Sequence, residues 1–155
     1  MNVTSFKMED CRHYINLIQN NINRMASNSA NCKTWTVSIV SALLAVQAAL
    51  RDITFIVLYA ILPIVLFFFL DSYYLGLEKR FIKLETDFVK LVKLKEDISD
   101  VIYILNPQRI GTDSKFTWEG MKSYSTWPFY GILLFFVCAI FLYNHKQIFS
   151  CFNFV

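Results

Sequence analysis

Two uncharged stretches decide the fold: Thr34–Leu50 (TWTVSIVSALLAVQAAL) and Ile53–Leu70 (ITFIVLYAILPIVLFFFL). Only Arg51 and Asp52 separate them, and a third uncharged stretch, Trp127–Tyr143 (WPFYGILLFFVCAIFLY), follows later. A helix needs about 17 to 25 mainly apolar residues to cross the hydrocarbon core of a bilayer. Each stretch therefore predicts a transmembrane helix, and the first two predict a tight antiparallel hairpin over 34–70.

The composition indicates an integral membrane protein. Hydrophobic residues make up 55% of the 155 residues and charged residues only 17%, whereas soluble domains carry about a quarter charged residues. The net charge of +3 is too small to indicate nucleic-acid binding by itself. The length suits one domain, so we expect 1–155 to form a single all-α membrane domain.

The positions of the basic residues predict the orientation. Before the first stretch lie Lys7, Arg12, Arg24 and Lys33, and after the second lie Lys79, Arg80, Lys83, Lys90, Lys93 and Lys95. Cytoplasmic segments carry the excess of Lys and Arg, while the hairpin tip has only Arg51, offset by Asp52. We therefore expect a cytoplasmic N-terminus, a third transmembrane helix over 127–143 that runs outward, and a tail, 144–155, on the far side.

Two segments show amphipathic helical periodicity. The spacing predicts an amphipathic helix within 1–33 and a cytoplasmic helix over 71–105, ended by Asn106 and Pro107. We expect their apolar seams to pack on each other as a cytoplasmic two-helix stalk, with Lys95 at the one position of the second seam that is not apolar. Alternatively, the first helix lies flat on the bilayer. The predicted seam comprises Ile15, Ile18, Ile22, Phe81, Leu84, Phe88, Leu91 and Ile98.

The segment 106–126, rich in turn formers, predicts an irregular interfacial connection.

The sequence indicates no catalytic, cofactor or metal site. The three stretches contain no Asp, Glu, Lys, Arg or His, and the four cysteines (Cys11, Cys32, Cys138 and Cys151) show no CxxC or His-coupled spacing. Phosphate-binding glycine loops are also absent. Asp71 follows the second stretch and precedes Tyr73 and Tyr74. We interpret it as part of an interfacial anchor and not as a catalytic acid, because no His, Cys or metal-ligand cluster accompanies it.

A face of small residues in the first stretch is the candidate for helix association. Ser38, Ser41, Ala45 and Ala48 fall at helical spacing on one side, and small residues let membrane helices approach closely. The face has two interpretations. It serves ordinary packing within the hairpin or against the third helix, or it serves self-association that lines a pore.

The runs NRMASNSANCKTWTVSIVSALLAV (23–46) and FLDSYYLGLEKRFIKL (69–84) resemble a group of small bacterial membrane proteins, similar in layout to the SLATT-type effectors of antiphage systems. The resemblance covers about half the chain, and the third transmembrane helix departs from the two-helix layout. It implies an inner-membrane hairpin that perturbs the membrane after a partner senses infection. The resemblance extends to ten positions of this chain, and it implies a catalytic role for none of them. These positions are Arg24, Asn28, Ser29, Lys33, Trp35, Asp71, Tyr73, Tyr74, Glu78 and Arg80.

The sequence therefore predicts a non-enzymatic bacterial inner-membrane effector or accessory subunit. We expect it to act by homo-oligomerisation and membrane perturbation, with the lipid bilayer and a cytosolic defence protein as partners and without cofactors. The main alternative is a membrane scaffold that recruits a cytosolic enzyme. A third and weaker alternative is a small three-helix lipid kinase, whose membrane-embedded acidic residues this chain lacks.

Reporter fusions test the predicted orientation. A fusion after Lys95 should be active only with a cytoplasmic reporter, and a fusion after Val155 only with a periplasmic one, because the basic residues from Lys79 to Lys95 hold that segment inside. A cytoplasmic reporter that is active after Val155 would contradict the three-helix topology.

Overall fold

The computed structural model describes residues 8–50, 56–96, 98, 101–106 and 113–152. These residues form α-helices and turns, without strands: α1 (Met8–Ala49), α2 (Ile56–Tyr59), α3 (Ile61–Leu94), α4 (Asp113–Met121) and α5 (Trp127–Phe152). Three helices, α1, α3 and α5, are long and apolar enough to cross a membrane, as the sequence predicts. The predicted hairpin tip at Arg51 and Asp52 lies outside the described residues.

The amphipathic N-terminal segment and the first apolar stretch form one helix. The 42 residues of α1 contain neither glycine nor proline, so nothing in the sequence interrupts the helix where the charged part meets the apolar part. Glu9 and Asp10 in its first turn complement the positive end of the helix dipole.

Pro63 explains why the second apolar stretch is divided. It is the third residue of α3, where its missing N–H costs little. In a continuous helix its ring would clash with the carbonyl oxygen of Tyr59, four residues earlier. The chain departs from the helix at Ala60, and the first bond of α3, from Ile64 N to Ala60 O, is long at 3.5 Å. The proline therefore separates α2 from α3.

The chain divides into two compact units, where the sequence predicts one domain. Unit 1 comprises Met1–Ser29 and Ser72–Gly120, and unit 2 comprises Ala30–Asp71 and Met121–Val155.

Unit 1 has its core between α1 and α3. Tyr14 is fully buried, packs edge-on against Phe88 with ring centroids 4.6 Å apart, and donates a hydrogen bond to the Ile104 carbonyl at 3.0 Å. Desolvation, and next the Asp10 carboxylate, raise the pKa of the Tyr103 phenol. The Tyr103 hydroxyl donates to Asp10 Oδ1 at 3.4 Å.

The helix that the sequence predicts to continue to Leu105 ends at Leu94 instead. Lys95 has a positive φ of 55°, its N–H bonds the Val92 carbonyl at 3.2 Å, and the Glu96 N–H bonds the Leu91 carbonyl at 3.1 Å. These paired bonds define a Schellman C-terminal motif, which usually has glycine at the Lys95 position. Sequence periodicity missed this end because apolar residues continue beyond it and a lysine takes the left-handed position.

The segment 106–126 is more ordered than predicted, because it contains α4. Gly120 allows α4 to approach α3 within unit 1: a Cβ at Gly120 would lie 2.3 Å from the Ser72 carbonyl oxygen. A Cβ at Gly76 would lie 3.0 Å from the Phe116 backbone. Phe116 is buried with the Arg80 guanidinium carbon 5.4 Å from its ring centre. Residues 107–112 lie outside the described part.

Unit 2 has a smaller core and a large apolar exterior. Buried side chains of Val40, Ile64, Tyr130 and Val137 pack together with Ala60. Only 11% of the apolar part of α5 is buried, and this share already includes the core residues Tyr130 and Val137. The helix α5 also continues to Phe152, beyond the predicted end at Tyr143.

The end of α3 provides a stability test. Lys95→Gly should raise the free energy of unfolding by about 1 kcal/mol, because glycine takes the left-handed conformation without steric cost. The control Lys93→Gly, within the last helical turn, should lower it by up to about 1 kcal/mol. Denaturant titration in detergent, followed by circular dichroism, measures both. Equal destabilisation by the two substitutions would indicate a helix that continues past Lys95.

Candidate functional site

A buried ion pair in unit 2 is the candidate functional site. Lys33 immediately precedes the uncharged stretch of α1, and Asp71 immediately follows that of α3. Their side chains meet, with Lys33 Nζ 3.2 Å from Asp71 Oδ2. The Asp71 side chain is 0% exposed and that of Lys33 is 21% exposed. Two oppositely charged residues therefore pair where two apolar stretches end.

The segment just before α5 and the helix α1 contribute polar residues to this region of unit 2. Lys33 Nζ also donates to Ser125 Oγ at 3.0 Å. Thr126 is fully buried, and its carbonyl accepts the first helical bond of α5, from the Tyr130 N–H at 3.2 Å. Thr36 is also fully buried and donates to the carbonyl of Cys32 in its own helix at 2.7 Å.

Two buried hydroxyls beside the pair are incompletely satisfied. The Tyr130 phenol interacts electrostatically with Asp71 and Thr36, but its oxygen forms no hydrogen bond of good geometry within the described residues. Thr126 Oγ1 is also buried and has no hydrogen-bond partner within the described residues. Buried hydroxyls usually find a protein or water partner, because an unpaired one costs about 1–3 kcal/mol. The Tyr130 hydroxyl makes the surroundings of Asp71 polar on the α5 side as well.

The arrangement is suited to holding helices together. Moving a charged group into a poorly solvated site costs several kcal/mol, and only a well-placed opposite charge offsets this. Asp71 has no solvent-exposed surface, so a water-borne substrate does not reach its carboxylate in this conformation. The pair thus links the ends of two apolar stretches electrostatically, while Ser125 connects the segment before α5 to the same lysine.

The described part of the chain offers no cluster of three or more His, Cys, Asp or Glu side chains that could hold a metal ion. Within the same part, Cys11, Cys32 and Cys138 are free thiols.

The residues of the predicted association face and of the predicted seam lie elsewhere. Ser38, Ser41, Ala45 and Ala48 are all exposed on α1 in unit 2. In unit 1, four seam residues are buried in the core: Ile18, Phe81, Leu84 and Phe88. Ile15, Ile22 and Ile98 pack against that core, and Leu91 is partly buried. Neither set contributes a side chain to the ion pair.

Sequence reasoning identified Asp71 and Lys33 separately but not as a pair. The available signal was their opposite charge at the same end of a predicted antiparallel hairpin. Ser125 and Thr126 were missed because they fall in the segment 106–126, which the sequence predicts to be an irregular connection. Tyr130 read as one aromatic residue among many in an apolar stretch.

No protein family, no curated protein and no solved structure matches the chain.

A double-mutant experiment tests the ion pair. Asp71→Asn should lower the free energy of unfolding by about 2–3 kcal/mol, because it leaves Lys33 without its counter-charge in a poorly solvated site. Adding Lys33→Met should restore most of that loss. Thermal unfolding in detergent measures each variant.

The matched control is Asp87→Asn, which removes the same charge from an exposed pair with Lys90, 3.6 Å away. It should cost less than about 0.5 kcal/mol. Equal small effects of Asp71→Asn and Asp87→Asn would show that the buried pair does not stabilise the fold.

Proposed function

We propose that this chain is an inner-membrane protein that acts by self-association in the bilayer, as a non-enzymatic effector or accessory subunit. The observation that carries the proposal is the combination of three long apolar helices with an exposed face of small residues on one of them. The lipid bilayer and further copies of the chain are the proposed partners.

The exposed apolar surface supports a lipid environment. Leu62 on α3 and Phe135 on α5 are 72% and 71% exposed, and Trp35 on α1 is 61% exposed. Other large apolar side chains on these helices, including Leu66, Ile132, Phe136 and Leu142, are also exposed. In water each would forgo about 1.5–3 kcal/mol of burial, whereas lipid tails solvate them.

The polar side chains within the apolar stretches also support this environment. Ser38 satisfies its hydroxyl by donating to the Thr34 carbonyl at 2.9 Å. Gln47, the most polar residue of the first stretch, is buried in unit 2. Polar side chains in membrane helices normally face protein or bond their own backbone, and both arrangements occur here.

The small-residue face supports self-association. Ser38, Ser41, Ala45 and Ala48 are exposed, so the described core of unit 2 leaves this face uncovered. Small side chains permit the close backbone approach that drives association between membrane helices. A second copy of the same helix would find no bulky side chain at these four positions.

The topology and the biological setting rest on sequence alone. The basic residues around the first two stretches support a cytoplasmic N-terminus and a periplasmic C-terminus. The role in bacterial antiphage defence, with a cytosolic partner, rests on the resemblance to SLATT-type effectors.

The alternative is a membrane scaffold that recruits a cytosolic enzyme. The observation that favours it is the exposed indole of Trp118 on α4, since exposed Trp residues are common at protein interfaces. Recruitment would use unit 1 and would leave the small-residue face without a role.

Bulky substitutions on the small-residue face separate these functions. The double variant Ser41→Leu/Ala45→Phe should weaken self-association at least tenfold, about 1.4 kcal/mol, because the larger side chains block close approach. Insertion should persist, because both changes increase hydrophobicity. The measurement is subunit counting by single-molecule photobleaching in lipid vesicles, paired with membrane potential from a voltage-sensitive dye.

The matched control is Val46→Phe, which adds bulk to an exposed position on another side of α1. It should leave subunit number and depolarisation unchanged. Oligomers and depolarisation that persist in the double variant would contradict the proposal. A monomeric wild-type chain that leaves the potential intact would favour the scaffold.

A further inference from the structure

Two adjoining pockets in unit 2 share the Trp127 side chain. The first, of about 520 Å³, is lined by Lys122, Ser123, Tyr124, Trp127 and Pro128. The second, of about 270 Å³, is a groove between α3 and α5 lined by Ile64, Val65, Phe68, Trp127, Tyr130, Gly131 and Leu134. The first pocket includes one lysine and one serine, whereas the second is lined by apolar and aromatic residues and Gly131.

The chemistry of the first pocket matches a phosphate group. Lys122 is exposed and brings a positive charge, and none of the described residues that line the pocket is acidic. The Ser125 N–H donates to Ser123 Oγ at 3.4 Å, and a serine hydroxyl that accepts one bond still carries an O–H donor of the kind that an anion accepts. Lysine and hydroxyl donors of this kind are typical phosphate ligands.

The aromatic residues of the first pocket match the membrane interface. Tyr124 is 97% exposed and Trp127 is 68% exposed at the start of α5. Exposed Tyr and Trp with this position relative to an apolar helix are typical of the headgroup region, because one end of each ring system is polar and the other apolar.

The groove provides a place for a hydrocarbon chain because of one residue. A Cβ at Gly131 would meet no atom within 4 Å, so this glycine leaves open space on α5 between the flanking apolar side chains. Trp127 lines both the groove and the first pocket. A molecule with an anionic head and an apolar tail fits both compartments together.

We propose that this composite site binds one anionic phospholipid, with its phosphate at Lys122 and Ser123 and an acyl chain along Gly131. The site rests on the proposed membrane location, since it uses a lipid of the same bilayer. It gives the chain a preference among lipids that the apolar helices alone would not have.

Fluorescence quenching in lipid nanodiscs tests the site. Trp35→Phe/Trp118→Phe leaves Trp127 as the only tryptophan, and both replaced residues are exposed. Nanodiscs of phosphatidylcholine then receive a small fraction of phosphatidylglycerol or phosphatidylcholine brominated near the headgroup end of one chain. Brominated phosphatidylglycerol should quench Trp127 at about one fifth of the concentration that brominated phosphatidylcholine requires, the effect of one lysine charge near an anionic lipid.

Two variants and two controls assign the effect to the site. Lys122→Gln should abolish the preference for phosphatidylglycerol. The control Lys93→Gln removes the same charge from an exposed position on α3 and should preserve the preference. Gly131→Leu should fill the groove and reduce quenching by both lipids, whereas Ile132→Phe, which lines neither pocket, should not.

The outcomes distinguish this inference from the proposed function. Equal quenching by both lipids, unchanged by Lys122→Gln, would overturn the lipid site while leaving the chain in the bilayer. No quenching by either lipid would overturn both proposals, because Trp127 would then lie outside the membrane.

Discussion

The ion pair between Lys33 and Asp71 sets the register of the apolar helices. A carboxylate with no exposed surface requires its counter-charge within a few ångströms, and here the distance is 3.2 Å. Because each partner borders an uncharged stretch, the pair aligns the ends of those stretches on α1 and α3. Ser125 joins the same lysine, which brings the beginning of α5 to that level within unit 2.

The two units differ in how much of their apolar surface is buried. Unit 1 encloses Tyr14, Ile18 and Phe88 in a core that resembles that of a soluble helical protein. Unit 2 instead leaves most of the apolar surface of its helices uncovered. A chain with both properties is consistent with two solvents, water around one part and hydrocarbon around the other, and this is the physical basis of the proposed membrane function.

Long-range periodicity predicted much of the fold, and local backbone geometry accounts for what it missed. Apolar runs predicted the three long helices, and Phe81, Leu84 and Phe88, which the three- and four-residue spacing selected, are buried in unit 1. The same spacing placed the end of α3 too late, because the left-handed Lys95 carries no sequence signature. In the candidate site, Lys33 and Asp71 stood out by charge, whereas Ser125 and Tyr130 joined them only through tertiary packing.

The most direct test of the alignment is a nitroxide depth profile in lipid vesicles. Labels are introduced one at a time in a background with its four native cysteines replaced. Relative accessibility to oxygen and to a water-soluble nickel complex then gives the depth of each label. We expect equal shallow depths at Thr34 and Leu70 and much greater depths at Ala42 and Leu62. Unequal depths at Thr34 and Leu70, or access of the nickel complex to all four positions, would contradict it.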